Sequence, residues 1–589
     1  YRHKPVMPVF KFSTMSGLLK ALKSERSRPP QSRGETFNLF EGCFTTHASV
    51  KKSNRECETA LLAAESLSAI AGIDRRTELR GAWTTMLFNH FHDIFDGAAV
   101  HDTYRNAQKR AQKSLKAARS VAGEALKALA KPSNGGVLTV WNALGFTRTE
   151  PVRTALPEGT RALQDEKGRL IPVQKCGRDF VFIAEDVPAF SCRSYRILKK
   201  TPKDTAFAPV DVKEDWNVYT VTTKHSTVQI DRSSGAIGSY HDNVLCRGYA
   251  PEDAKTGDAP HDLIGYGVPK PIAAGEVART DLALNVFQLI DEAPNGMSAW
   301  HINYTMKQEN LLKNAKVEPV ETGPVFARFR VAHKFRSSGI VENIYIYNDY
   351  RRVDFETDVN WREKGSDAAG VPELKVSFAA SVTAPRLRVE GPFTVMEKPA
   401  DGNEQPTQKF AAVTGDNFGF AILNDSKYGC DALGGRLRVT LLRNGYNPDP
   451  ETDNGRHSVR FAFAPHHSLA TNADLVRAGM SFNRPLAAVR TSTMRPARPA
   501  KLSIGGADSV VCTALRRAEH SANVLLRLFE TAGKPCKASV CLGTGITSAQ
   551  EVNFLENPSG KLKPAGGKVR LSFRPFEVKT LLVRCKNLK

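Results

Sequence analysis

Two imidazoles and two carboxylates crowd into the stretch Asn89-His90-Phe91-His92-Asp93-Ile94-Phe95-Asp96-Gly97. These are residue types that bind metals and contact sugar hydroxyls. His92 can give a ring nitrogen to zinc, and the adjoining Asp93 carboxylate can orient a polar ligand. The competing reading is structural, because His and Asp near a helix terminus often cap it or sit as satisfied buried polar groups. Helical geometry would turn His90, two residues before His92, to another side, so a packing role suits it better.

The elements around this stretch must aim it. A helix beginning near Ala48 places Cys57, Leu61, Ala64 and Leu67 on one face until Gly72 stops it. A second, from about Glu78, spaces Trp83, Leu87 and Phe91 by four and carries the motif at its C-terminal end. A third, Thr103 to Ala130, shows a stripe of Tyr104, Ala107, Ala111, Leu115, Ala118 and Ala122, with His101 and Asp102 placed to cap it. Three amphipathic helices with short connections predict a bundle. Upstream, Val9 to Thr14 alternates like a short strand, Met15 to Lys23 suits a short helix, and Ser24 to Arg33 reads as a linker. Pro132-Ser133-Asn134-Gly135-Gly136 ends the helical pattern, and short β-like runs follow. Val228 to Ile237 reads as a hairpin, Val353 to Trp361 alternates like a half-buried strand, and Val578 to Val583 is a last strand. Such spacing predicts β-sandwich domains.

With 589 residues the chain exceeds what one core serves, and its 41% hydrophobic content suffices for several. The net charge of +22 and pI near 9.5 invite a nucleic-acid reading, but Lys and Arg are spread along the chain rather than clustered. No apolar run is long enough to span a bilayer. Ten cysteines without a C-x-x-C pair do not form a disulfide framework and favour reduced thiols, a slight lean towards the cytoplasm with the compartment otherwise unknown. Asp449 to Gly455 alternates acidic residues like a calcium loop but lacks its sixth-position Gly and twelfth-position Glu, so a turn-rich connection is expected. Phosphate-binding loops and Gly-x-Ser-x-Gly elbows are missing.

Several motifs occur in a telling order. They are Gly34-Glu35 with Phe40-Glu41-Gly42-Cys43-Phe44-Thr45-Thr46-His47, then Lys51 to Glu58, then Asn89-x-Phe-His92-Asp93. Arg352-Val353-Asp354-Phe355 leading to Trp361, Asn424 to Gly429, Leu442-Arg443 with Pro448-Asp449-Pro450, Asp453 to His457 and Pro465-His466 follow. In this order they resemble the C-terminal two thirds of a glycoside hydrolase family 38 α-mannosidase. The resemblance implies an α+β multidomain fold: a three-helix bundle followed by predominantly antiparallel β-sandwich domains, with a short remnant of an α/β barrel at the N-terminus. The expected boundaries are 1–47 for the barrel remnant, 48–131 for the three-helix domain, 137–205 for a small β domain, 206–495 for a large β-sandwich and 496–589 for a C-terminal β domain.

The resemblance also implies retaining hydrolysis of α-mannosides through a covalent glycosyl-enzyme. It makes His92 one ligand of a single zinc ion, with the remaining ligands expected upstream. Asp93 becomes an acceptor for mannose hydroxyls, Phe40 a sugar-packing aromatic where many relatives have Trp, and Arg443 a residue whose loop approaches the active site, with a surface salt bridge as its alternative. His47 stands where other branches have Arg. No position matches the family's nucleophile or acid/base, so no catalytic residue is assigned and the chain is expected to be a fragment, inactive alone. The expected partner is an α-mannoside oligosaccharide or glycan, without nucleic acid or membrane, and a homo-oligomer is left open. The rivals are a noncatalytic carbohydrate-binding or scaffolding β-sandwich protein and a nucleic-acid binder; a catalytic Asp upstream would argue against the first, and shallow salt dependence against the second.

Overall fold

The computed structural model describes residues 10–25, 31, 40–200, 207–243, 283–380, 382–494 and 501–585. The chain divides into two compact units, Tyr1–Leu39 and Phe40–Lys589. In the first, helix α1 (Met15–Ser24) starts at Thr14, whose hydroxyl accepts the Gly17 N–H. Residues 10–14 form no strand, contrary to expectation. Most of the expected linker, and Gly34-Glu35, lie outside the described residues.

The second unit opens with the helical bundle: α2 (Ala48–Ala71), α3 (Arg76–Leu87) and α4 (His101–Ala130). Cys57, Leu61 and Ala64 of α2 pack with Leu79, Ala82 and Met86 of α3 and Ala111, Ala118 and Val121 of α4. Small side chains from α2 and α4 let these two long helices approach closely. Gly72, at φ 73°, closes α2 while the Ile73 N–H returns to the Ser68 carbonyl.

Helix α3 stops earlier than its periodicity predicts. A 3₁₀ turn, Phe88–His90, follows it, and Phe91 takes an extended ψ of 139°. The cause is tertiary. Buried Asn89 donates to the Ala107 carbonyl of α4 and accepts from Arg110, and these bonds compete with another helical turn. His92 to Gly97 therefore form a turn rather than a helix end. Nor do His101 and Asp102 cap α4. Val100 is its N-cap, His101 bonds Asp449, and Asp102 pairs with Arg105 inside the first turn.

The β region is dominated by a ten-stranded and a nine-stranded sheet, all neighbouring strands antiparallel, built within residues 211–467. Phe287, Leu374 and Phe378 of the first sheet meet Phe329, Phe355, Phe461 and Phe463 of the second in one sandwich core. The expected hairpin is Ser226–Asp231 with Ile237–Asp242, and Val353–Trp361 alternates buried and more exposed residues as predicted. One strand pairing and one helix differ from what the sequence pattern suggests. Strand Ala487–Thr491, expected in the large sandwich, pairs with Val137–Trp141 of the small β domain. Just before it comes an unforeseen helix, α5 (Asn472–Asn483), begun by a Thr471/Asp474 capping box. The last sheets, within 502–585, enclose Leu526, Leu528, Val540, Leu571 and Leu581, and the same core takes in Leu67 and Ile70 of α2 with Ala125 and Leu129 of α4.

One ion pair ties the start of this unit to the sandwich. Arg443 is 0% exposed, and each of its guanidinium donors is engaged. Nε and one terminal nitrogen clasp the Glu292 carboxylate at 2.5 and 2.8 Å, and the remaining protons reach Thr46 Oγ1 (3.2 Å) and the carbonyls of Ser298 (2.7 Å) and His301 (2.6 Å). Removing one member of a buried pair strands the other charge. Arg443→Met is therefore expected to lose about 3–5 kcal/mol of stability in denaturant titrations, most of it recovered by Arg443→Met with Glu292→Gln. A single variant as stable as the native chain would show the pair to be dispensable.

A second buried carboxyl makes folding pH-dependent. Glu342, 0% exposed, accepts from the Asn285 amide (2.6 Å) and the Thr357 hydroxyl (2.8 Å), and burial raises it from 4.5 to about 7. The folded chain thus keeps a proton that the unfolded chain releases. This group's contribution falls as pH rises from about 4.5 to about 7 and is level above that, a change of about 3 kcal/mol. Unfolding titrations at pH 5 and pH 8 should show Glu342→Gln losing about 2 kcal/mol less than the native chain over the interval, because part of the change already lies below pH 5. Identical losses would place the titration elsewhere.

Candidate functional site

The turn carrying His92 and Asp93 is held mainly through its backbone. Buried Lys51, one turn into α2, donates to the carbonyls of Phe95 (3.0 Å) and Asp96 (3.3 Å) and also to that of Thr46. Burial lowers this ammonium to about 8. Asp96 accepts the Ala98 N–H at 3.1 Å, and the Tyr104 hydroxyl bridges the Ala99 N–H and the Asp93 carbonyl. Ile94 is buried with Val50, Tyr104 and Ala107. Gly97, at φ +96°, lies so close to Thr46 that a Cβ would stand 2.6 Å from its carbonyl oxygen.

Above this base the side chains face outward. The His92 side chain is 81% exposed and that of Asp93 51%, with Nε2 and Oδ1 3.9 Å apart. Phe91 leans on the His92 ring at 4.3 Å between centroids. His90 stays exposed but packs sideways, its Nε2 2.7 Å from Asn54 Oδ1 and its ring stacked on Phe95, in keeping with the packing reading.

The start of α2 fixes this base to the β sandwich. His47, buried and at φ 56°, stacks on Tyr104 at 3.4 Å, and its Nε2 lies 3.1 Å from Asp449 Oδ2 at an angle poor for a hydrogen bond. His101 Nδ1 reaches the same oxygen at 3.1 Å, and Asp453 accepts the Ala48 N–H at 2.9 Å. Burial alone would raise the Asp449 carboxyl; His47, the Glu451 N–H and His101 hold it below its ordinary range instead. The acidic segment that imitates a calcium loop is thus a turn-rich clamp on the helix start.

Of the residues singled out from sequence, His92 and Asp93 lie together on the turn, and Phe40 is 45% exposed with its ring 5.4 Å from that of His301. Arg443 requires correction. It is neither a free sugar contact nor a surface salt bridge, because burial and the Glu292 clasp leave no donor for a ligand. It acts on the site by position, since Thr46 and His301, which it joins, adjoin the Gly97 turn and Phe40. Lys51 was missed, though its spacing with Asn54, Arg55 and Glu58 marks a polar stripe on an otherwise packed helix.

Zinc needs about four ligands. No group of three or more His, Cys, Asp or Glu converges among the described residues. Cys43 contacts Asp96 of the turn at 3.9 Å and is pushed up to about 12 by burial and by Asp96, which disfavours the thiolate a metal requires. These residues therefore do not compose a zinc site by themselves. What they offer is one outward imidazole beside one outward carboxylate.

Three family models match in order: the alpha mannosidase middle domain over 38–129, the glycosyl hydrolases family 38 C-terminal domain over 272–451, and the family's C-terminal beta sandwich domain over 509–581. The chain is 26% identical to human alpha-mannosidase 2C1 and 25% identical to alpha-mannosidase G of Dictyostelium discoideum, in each case over 98% of its own length. It spans about half of those relatives, 53% and 55% respectively. The fold matches the crystal structure of an alpha-mannosidase from Enterococcus faecalis, with a TM-score of 0.72 at 17% identity, covering 97% of this chain and 72% of that one. From its helical bundle to its last sheet, the chain belongs to glycoside hydrolase family 38.

Proposed function

We propose that this chain forms the helical and β-sandwich side of an α-mannosidase that releases mannose from terminal α-mannosides of oligosaccharides or glycans. The observation that carries the reading is the outward pair His92 and Asp93 on a turn fixed through its main chain. His92, whose imidazole makes no hydrogen bond among the described residues, is assigned as one ligand of a zinc ion completed by residues outside the described ones. When bound, such an ion polarises oxygens held against it.

The chain's own groups then have definite tasks. Asp93 accepts hydrogen bonds from mannose hydroxyls, a charge-assisted contact that gains strength where those hydroxyls become more acidic in the transition state. Phe40 offers an exposed ring for the apolar face of the sugar. Lys51 and Tyr104 keep the Asp93 carboxylate in place by holding the turn's backbone. The nucleophile and acid/base of a retaining mechanism are not assigned to residues of this chain.

In the native protein, His92→Ala is expected to lower bound zinc, measured by elemental analysis, together with hydrolysis of an aryl α-mannoside. Full zinc content and full activity would remove His92 from the site. Asp93→Asn is expected to keep zinc and melting temperature while kcat/KM falls by roughly ten- to a thousandfold, the scale of one charge-assisted hydrogen bond. Normal kinetics with a lowered melting temperature would make Asp93 a structural residue of the turn. Zinc loss in that variant would make it an orienting residue for the metal's ligands.

A further inference from the structure

A cavity of about 510 Å³ lies between the helical bundle and the β domains, within the range of small-molecule sites. Neither His92 nor Asp93 lines it. Its wall is largely apolar, with Met86, Met480, Phe393 and Phe529 among the lining residues. Phe393 is 39% exposed and meets Phe529 edge to face at 5.8 Å, so the wall runs from surface to interior.

The charges on this wall do not balance. Both lining carboxylates already face cations: Glu390 pairs with Lys409 at 2.8 Å and Glu58 lies 3.8 Å from Arg55. Arg484 has no carboxylate within ion-pair distance among the described residues, and Glu58 and Glu65 attract it only from farther away. It follows the C-terminus of α5, is 8% exposed, and its guanidinium makes no hydrogen bond or ion pair among the described residues. Arg527, also on the wall, lies over the Phe554 ring and, among the described residues, donates a side-chain hydrogen bond to the Thr580 hydroxyl alone. Behind them Arg148, 6% exposed, leaves all three guanidinium nitrogens without hydrogen-bond partners and adds its own repulsion to Arg484. Buried charges are ordinarily paired, because an isolated one forfeits its hydration without compensation. A guanidinium without a hydrogen-bonded counter-ion at the edge of an apolar cavity is therefore a receptor for negative charge.

We propose that this cavity binds a small organic anion, its phosphate or carboxylate head on Arg484 with Arg527 nearby and its apolar body against Phe393 and Phe529. A planar fork of donors suits either head bidentately, while the apolar wall excludes bare inorganic ions as the best occupants. The proposal does not depend on mannosidase activity, because none of these residues is assigned to that chemistry.

The test is calorimetric titration of the chain with phenyl phosphate and with benzoate, using benzyl alcohol as the uncharged control. Saturable binding of at least one anion is expected, about tenfold or more tighter than benzyl alcohol and weakened about tenfold or more by Arg484→Met. The unliganded Arg484→Met chain should melt at or above the native temperature, because an unpaired buried charge has been removed. Which anion binds more tightly identifies the head group. Absence of saturation by both anions, equal binding of benzyl alcohol, or undiminished anion binding by Arg484→Met would overturn the proposal. If Arg484→Met does not fold, Phe393→Ala at the exposed end decides: weakened phenyl phosphate binding supports the site and unchanged binding refutes it.

Discussion

The guanidinium of Arg443 is the point on which the arrangement of this chain turns. It draws the segment before α2, the strand ending at Glu292 and the loop through Ser298 and His301 to a single buried position. A neutral side chain of similar size would fill the space but could not bring so many oxygens together. Thr46 is set by this contact, and Gly97 rests against Thr46 without room for a side chain. The geometry of the outward His92 and Asp93 thus descends from an ion pair in the sandwich through one threonine and one glycine.

Lys51 completes that line of support. Its ammonium is shared among carbonyls of two segments, so it fixes peptide planes rather than particular side chains. The turn can therefore be rigid while His92 and Asp93 remain almost free of internal bonds. Groups held ready in this way lose little further entropy when a ligand arrives, and they do not have to break bonds to the protein first. Phe91, exposed against His92, supplies an apolar flank.

Local patterns in the sequence recorded local structure well. The stripe Tyr104, Ala107, Ala111 and Ala118 is the buried face of α4, and the alternation from Val353 to Trp361 is a strand of the sandwich. The pair His92 and Asp93 was also legible, since two such residues side by side stand out in any helical pattern. What escaped was set by long-range partners. Asn89 ends the helical path because of α4, and Arg443 is buried because Glu292 lies across the sheet. Asp449 and Asp453 serve α2 although they are about 400 residues away in the chain. Strand Ala487–Thr491 likewise belongs with Val137–Trp141, a pairing that no periodicity within either segment could announce.

The core shared by α2, α4 and the last sheets also bears on how the chain is made. Leu67, Ile70, Ala125 and Leu129 leave the ribosome well before Leu581 and Val583, which lie in the same cluster. Throughout that interval the bundle carries an apolar flank that its own helices do not cover. Such a surface on a nascent chain attracts chaperones and other incomplete chains until its proper cover arrives. The C-terminal sheets thus act as a late seal, and a chain truncated before Val578–Cys585 would present that flank permanently.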